Sequence, residues 1–400
     1  SSTTWPARRR IGWLEFIKNE LGIPARFFGP VSLTHRMHPL RKINFTSDNN
    51  AGICPEAFKA MDEANQGHAP AYGTDEYTCE ACDQIRKIFE ADCEVFFTFS
   101  GTAANSLALA TLCQSYHSVI CHSMSHVEND ECGGPEFYGG GSKLLAVNTL
   151  DGKVNPEVLI AAAQKRTDLH FPKTRAVSLT QSTEIGTVYS IEELEALQST
   201  ARNLNLLVHM DGARFANALV SLRCSPKNIT WEVGVDVLSL GGTKNGMAVG
   251  ELLVFFNKEL SEEFEYRCKQ AGQLSSKMRY LSAPWSAVLK ENVWLKYAEG
   301  ANASARYLKE GLETLGLKIL FPVEANGVFV QLDERLIAGM HYRGWRFYDF
   351  IPKGGCRLMC SWDTTCEDVD QFVSDMADLM TSDEDLSLIH ISEPTRRTPI

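Results

Sequence analysis

Short apolar runs alternate along this chain with longer stretches whose apolar positions recur every three or four residues. Val95-Phe96-Phe97-Thr98-Phe99 and the segments 119–122 and 176–180 read as strands, as do Leu206-Leu207-Val208-His209-Met210 and Val235-Asp236-Val237-Leu238-Ser239-Leu240. The last two are nearly continuous in apolar character, as parallel strands covered on both faces tend to be. Between the strands, Pro55-Glu56-Ala57-Phe58 opens a helix with proline in its first turn and apolar positions at Phe58, Met61 and Ala64. Further helices are expected at about 79–90, 106–112 and 191–202. This alternation continues to about Phe256 and predicts an α/β fold with a mostly parallel, doubly wound sheet. A long helix near Trp294, strands near 317–321, 328–332 and 357–362, and a helix at 369–380 predict a smaller α+β unit. The expected organisation is an N-terminal extension (1–42), a large domain (43–290), a small C-terminal domain (291–380) and a tail (381–400), with no internal repeat.

The two ends differ from the rest. Arg8-Arg9-Arg10 precedes Trp13-Leu14-Glu15-Phe16-Ile17 and three prolines, Pro24, Pro30 and Pro39. That texture fits an organelle transit segment, or an arm that wraps a partner subunit, and the chain does not begin with Met. Residues 387–400 have no clear period, resemble translated cloning adapter, and are set aside from fold reasoning.

Composition narrows the classes. At 400 residues, 44% hydrophobic and 22% charged, the chain is of ordinary globular type. A net charge of −11 argues against nucleic acid as a partner, since phosphate backbones call for a basic face. No apolar run approaches the roughly 20 residues that span a bilayer, so no membrane partner is expected. Twelve scattered cysteines suggest reduced thiols and a cytoplasmic location. Cys79 and Cys82 form a CxxC with no second pair, for which chance outweighs zinc or redox use.

The chemistry begins where two apolar runs stop. One ends at Asp211, followed by Gly212-Ala213-Arg214, and the other runs into Gly241-Gly242-Thr243-Lys244. Polar groups just past parallel strands lie at the sheet edge where α/β proteins bind ligands. An acid and an amine placed there suit pyridoxal 5'-phosphate (PLP): the carboxylate keeps the pyridine nitrogen protonated, and the lysine carries the cofactor covalently. The glycines are expected to leave room around the lysine. Each residue also has a plainer reading, Asp211 as a helix cap and Lys244 as a solvated loop lysine.

Phe99-Ser100-Gly101-Thr102 falls at a strand-to-helix turn, where glycine, free amides and hydroxyls suit an anion. An ordinary N-cap at Ser100 or Thr102 would look the same. Neither GxxxxGK[ST] nor GxGxxG occurs. His122-x-x-x-His126 has metal-ligand spacing on a helix but lacks the glutamate of HExxH. His126 equally suits stacking on a cofactor ring, and no metal is expected. Arg357, on a late strand, suits bidentate binding of a carboxylate, the alternative being a surface salt bridge.

In order, these parts form the layout of a PLP enzyme of fold type I. The surrounding text is closer still: Asp48-Asn49-Asn50-Ala51-Gly52-Ile53-Cys54-Pro55-Glu56-Ala57, Gly67-His68-Ala69-Pro70-Ala71-Tyr72-Gly73, Phe99-Ser100-Gly101-Thr102-Ala103-Ala104-Asn105, His209-Met210-Asp211-Gly212-Ala213-Arg214-Phe215 and Gly241-Gly242-Thr243-Lys244-Asn245-Gly246. Over about residues 43–380 the chain resembles the low-specificity L-threonine aldolases of the beta-eliminating lyase family. The resemblance implies retro-aldol cleavage of L-threonine, L-allo-threonine and related β-hydroxy amino acids to glycine and an aldehyde. It implies that Lys244 carries PLP, Asp211 faces the pyridine nitrogen and Arg214 contacts the phenolic oxygen. Ser100, Gly101, Thr102 and Arg279 would hold the phosphate, and His126 would stack on the ring. Ser47 and Arg357 would hold the substrate carboxylate, with His170 near the substrate hydroxyl. His126, His170 or a bound water would take the hydroxyl proton. Tyr72 lies in a loop that in this family helps build the site, often from a neighbouring subunit, which implies a homodimer or homotetramer with shared active sites. The layout alone also suits another fold-type-I PLP enzyme, such as a β-eliminating lyase or an aminotransferase, or a PLP-binding protein without turnover.

Overall fold

The computed structural model describes residues 44–351 and 354–381. The expectations for residues 1–42 and for the tail beyond Thr381 lie outside the described residues.

Seven strands form one sheet: β1 (Glu94–Thr98), β2 (His117–His122), β3 (Lys143–Val147), β4 (Lys173–Thr180), β5 (Leu207–Gly212), β6 (Val237–Leu240) and β7 (Glu251–Phe255). Their spatial order is β1-β7-β6-β5-β4-β2-β3. From β6 to β3 every pairing is parallel, whereas β7 runs antiparallel to both β1 and β6. The reversal has a simple cause. Only residues 241–250 separate β6 from β7, too few for the helical crossover that a parallel return requires.

The period-two alternation of the strands decides which side chains meet the site. Val208, Met210, Leu238 and Leu240 pack into one apolar layer, with Leu194, Leu197 and Trp285. Val237, Val119 and Leu253 pack on the opposite face with Ala104, Leu107 and Ala108 of the helix Gly101–Leu112. His209 and Asp211 alternate with Val208 and Met210, so they project to the side of that helix. The helix is buried nearly all round, and its alanines let it lie close to the strands.

A three-stranded antiparallel sheet, β8 (Gly327–Gln331), β9 (Tyr348–Ile351) and β10 (Gly355–Met359), follows in the order β8-β10-β9. Apolar side chains from the helices Val293–Thr314 and Cys366–Thr381, among them Leu308, Leu312, Phe372 and Met376, form a core with Val328, Val330 and Leu358 of this sheet. Phe45 joins this core, with its ring centroid 5.7 Å from Trp345 and 5.0 Å from Phe372. Its anchorage fixes the segment that carries Ser47 and Asp48. The strand expected at 317–321 does not form. That segment makes a single bridge, Ile319 with Val330, and Pro322, lacking an N–H, ends the pairing.

Candidate active site

The C-terminal ends of β5 and β6 and the start of the helix Gly101–Leu112 enclose a cavity of about 280 Å³. Ser100, Gly101, Thr102, Asn105, His126, Asp211 and Lys244 line it, together with Asn49, Ser239 and Glu251. Of the twelve site residues expected from scattered segments, the fold brings six to this one wall: Ser100, Gly101, Thr102, His126, Asp211 and Lys244.

Asp211 is buried and held on both oxygens: Asn105 Nδ2 donates to Oδ2 at 2.9 Å, and the Ala213 amide donates to Oδ1 at 2.9 Å. The plainer reading of a helix cap fails, because the next helix, Phe215–Leu222, has Arg214 at its N-cap position and no side-chain cap. Asn105 also donates to Glu131 Oε1 at 2.8 Å, and Glu131 Oε1 meets His126 Nδ1 at 2.9 Å. Asp211, Asn105, Glu131 and His126 therefore form one chain of polar contacts. Burial pushes the Glu131 carboxyl up. Burial also opposes a charged His126, yet the hydrogen bond that its Nδ1 donates to Glu131 and the charges of Asp211 and Glu184 outweigh it and raise the imidazole above its ordinary value. Replacing Glu131 by glutamine should lower the His126 pKa, as read by NMR titration of the imidazole, and an unchanged value would break this link.

Ser100 caps the helix by accepting from the Ala103 amide at 3.3 Å, while the Gly101 and Thr102 amides lie in the first turn, where a helix supplies no partner. A Cβ built on Gly101 would meet nothing within 4 Å, so the chain leaves space at this helix end. Gly241 and Gly242 serve a purpose other than room for Lys244. A Cβ on Gly241 would strike the Ala213 backbone, and one on Gly242 would come within 2.6 Å of Trp285. They let the β6 end pack tightly, and Lys244 follows in the short turn Thr243–Asn245. Buried Glu251 on β7 accepts from the Gly242 amide and fixes that turn from the other side.

Beside the cavity, Asp48 gathers three further groups. Arg214 donates to it from Nε (2.7 Å) and from the guanidinium tip (3.0 Å), and Asn326 donates at 3.1 Å. Burial opposes the Asp48 carboxylate, but the charges of Arg214 and Lys244 with these hydrogen bonds hold it below the ordinary range. Ser47 precedes it and caps the short turn Asp48–Asn50. Arg357 on β10 donates to the Thr46 carbonyl at 3.3 Å and lies 5.1 Å from the ring centroids of both Tyr348 and Phe350. Its Nε is buried without a partner. Burial and the charge of Arg214 lower its pKa against the opposing charges of Glu184 and Asp48, and among the described residues it makes no ion pair, so it is not a surface salt bridge.

Three predicted residues stand elsewhere. His170 is exposed on the loop before β4. That is the N-terminal end of a parallel strand, roughly 25 Å by strand rise from the site at the opposite edge. Tyr72, 49% exposed with a positive φ of 60°, does not line the cavity and sits under Lys269, whose Nζ is 4.6 Å from the ring centroid. Arg279 opens the helix Arg279–Leu289 with a buried, unpartnered Nε, also outside the cavity. The Tyr72 amide donates to Ser276 at 3.2 Å, which keeps the two segments together. His122 and His126 do not share a helix: His122 ends β2 and faces the Met124 and Thr149 amides, whereas His126 begins the next short helix. Cys79 and Cys82 are unpaired, and burial pushes the Cys82 thiol up to about 12, far from a reactive thiolate.

Sequence reading missed Asp48, Asn105, Glu131, Glu184, Glu251 and Asn326 as functional positions. Asn105 carried a signal, lying three residues after Thr102 and so on the same helix face. The others are joined to the site by tertiary contacts alone.

An acid at one strand end, an amine at the next and a helix N-terminus with open space fit PLP. Fold and site define a PLP-dependent enzyme of fold type I. The profile of the beta-eliminating lyase family matches residues 44–335, and the chain belongs to that family. It is 59% identical over 333 residues to the low specificity L-threonine aldolase of Pseudomonas aeruginosa, covering 83% of this chain and 96% of that protein. The Escherichia coli protein of the same name is 28% identical over 269 residues, covering 67% of this chain and 78% of that one. Among solved structures, a threonine aldolase of Leishmania major matches with a TM-score of 0.80 at 27% identity, over 84% of this chain and 98% of that one.

Proposed function

We propose that this chain cleaves L-threonine, L-allo-threonine and related β-hydroxy amino acids to glycine and an aldehyde. The observation that carries this reading is the cavity that holds Lys244 and Asp211, together with the half-buried Arg357, whose Nε is buried without a partner. When bound, PLP supplies an acceptor for the electron pair of the broken Cα–Cβ bond. The chain's own residues do the rest. Lys244 is the sole amine among the residues lining the cavity and anchors the cofactor. Asp211, held by Asn105 and Ala213, presents a fixed anion to the pyridine nitrogen. The free amides of Gly101 and Thr102, with the hydroxyls of Ser100 and Thr102, receive the phosphate. His126 is oriented by Glu131 and would cover the ring. Arg214 is fixed by Asp48 and would hold the cofactor's phenolic oxygen. Arg357 and Ser47 clamp the substrate carboxylate, and that clamp sets which bond to Cα is aligned for cleavage.

Tyr72 and Arg279 have no place in their own cavity, which supports a reading in which they complete the site of a second copy. Arg279 then finds its anion in that copy's phosphate. The reducing, cytoplasm-like location stands on the twelve unpaired cysteines. Purified protein supplied with PLP and L-threonine, L-allo-threonine or L-phenylserine should release aldehyde, detected by a coupled reductase. Release from none of the three would end the aldolase reading.

A further inference from the structure

Cleavage of a β-hydroxy amino acid requires a group that takes the hydroxyl proton, and the described residues narrow the choice. Four buried carboxylates near the cavity are already engaged. Asp211 accepts from Asn105 and Ala213, Glu131 faces His126 and Asn105, Asp48 holds Arg214, and Glu251 accepts from Gly242. His126 has its Nδ1 committed to Glu131, and His170 is at the far edge of the sheet. Glu184 is different. It is half-buried, and among the described residues its carboxylate makes no hydrogen bond or ion pair.

Its position is fixed by the loop that leaves β4 at the C-terminal edge of the sheet. Thr180 pairs in register with Asp211, and the Gln181 amide donates to the Asp211 carbonyl at 2.8 Å. The loop then makes a tight turn in which the Gly186 amide donates to the Thr183 carbonyl at 2.9 Å, with Gly186 at φ +81°. The Thr183 and Thr187 hydroxyls lie 2.7 Å apart across its base. Gln181 clamps the loop by bonding both the amide and the carbonyl of Tyr189 at 3.0 Å. Glu184 occupies the second position of this turn, so its backbone is held from both sides. Its charge acts on Arg214, Arg357 and His126 alike. Those are the groups proposed to surround the phenolic oxygen, the substrate carboxylate and the ring.

We propose that Glu184 is the catalytic base for the substrate β-hydroxyl, which rests on the aldolase reading above. Its carboxylate accepts the hydroxyl proton. The O–H electron pair becomes the second bond of the aldehyde carbonyl, and the Cα–Cβ bond breaks with its pair left at Cα, which is then protonated to give glycine. In the reverse direction the same carboxylic acid returns the proton to oxygen. Asp48 neutralises Arg214 and the substrate carboxylate occupies Arg357, so Glu184 remains available to the hydroxyl.

Glycine has no hydroxyl and serves as the control substrate. Glu184→Gln should lower kcat for L-threonine cleavage by about 10²–10⁴-fold, the usual worth of a positioned base. It should leave glycine binding by calorimetry, and exchange of the glycine Cα proton for deuterium by NMR, within about threefold, on the same scale of effects. In the protein without PLP, the His126 pKa should fall in the variant because a neighbouring anion is gone. Threonine cleavage within about threefold of wild type, or an equal loss of glycine exchange and binding, would overturn the assignment. So would an unmoved His126 titration. Failure of the wild-type protein to release any aldehyde while still exchanging glycine would instead remove the aldolase reading itself.

Discussion

Lys244→Ala should lose aldehyde release from L-threonine by several powers of ten, because the substitution removes both the covalent anchor and the amine that substrate must displace. Protein supplied with PLP should also lose the reducible adduct: borohydride treatment followed by peptide mapping should label Lys244 in wild type and nothing in the variant. The fold should survive, since Lys244 sits in a three-residue turn after β6 and its ammonium makes no hydrogen bond among the described residues. Far-ultraviolet circular dichroism and an unchanged unfolding midpoint check that point. The turn itself is fixed by Glu251 and by the close packing of Gly241 and Gly242, none of which the substitution touches. A variant that still forms a reducible adduct and still turns over would place the anchoring amine elsewhere, and the roles given to Asp211 and the phosphate turn would fall with it.

The strand ends were legible because they obey a simple rule. An apolar run that stops at one polar residue, in a chain alternating strands and helices, places that residue at the ligand edge of a parallel sheet. Asp211, Lys244, Gly101 and Thr102 all follow from it, and the cavity contains all four. His126 was legible only as a histidine with two alternative uses, and the metal spacing dissolved once His122 proved to end a strand.

What the sequence concealed is the polar support. Asp48 lies 166 positions from Arg214 and 278 from Asn326, and no local period links them. Glu131 follows His126 by five residues, which is not a helical neighbour spacing, and the two meet because a turn intervenes between short helices. His170 shows the opposite failure. It lies before β4, at the edge of the sheet opposite the cavity, and strand polarity keeps it away from the cavity of its own chain. The sharp loop after the same strand supplies Glu184 at the correct edge.

Asp48→Ala should be the most damaging of the substitutions for folding. Arg214 would remain in a site where it is only 8% exposed, with its bidentate partner gone. Removing one member of a buried ion pair costs about 3–5 kcal/mol, a large part of the stability of an ordinary domain. The effect should also spread, because Asn326 joins Asp48 to the Cys360 carbonyl at the end of β10. The pH dependence follows from the sign of the shift. In the folded chain Arg214, Lys244 and Asn326 hold the Asp48 carboxylate below its unfolded value, against the pull of burial. Its contribution is therefore complete above the unfolded pKa, near the ordinary aspartate value of 3.8, and is lost as pH falls through the lower folded value. Urea unfolding should give a constant gap between wild type and Asp48→Ala from neutral pH down to the ordinary carboxylate range, narrowing only below it. A gap that closes well above that range would mean that burial dominates and that Asp48 is protonated before its partners can hold it charged. Asp48→Asn separates the charge from the shape: the amide can still meet Asn326, so a loss as large as that of alanine would assign the cost to the unpaired Arg214 guanidinium.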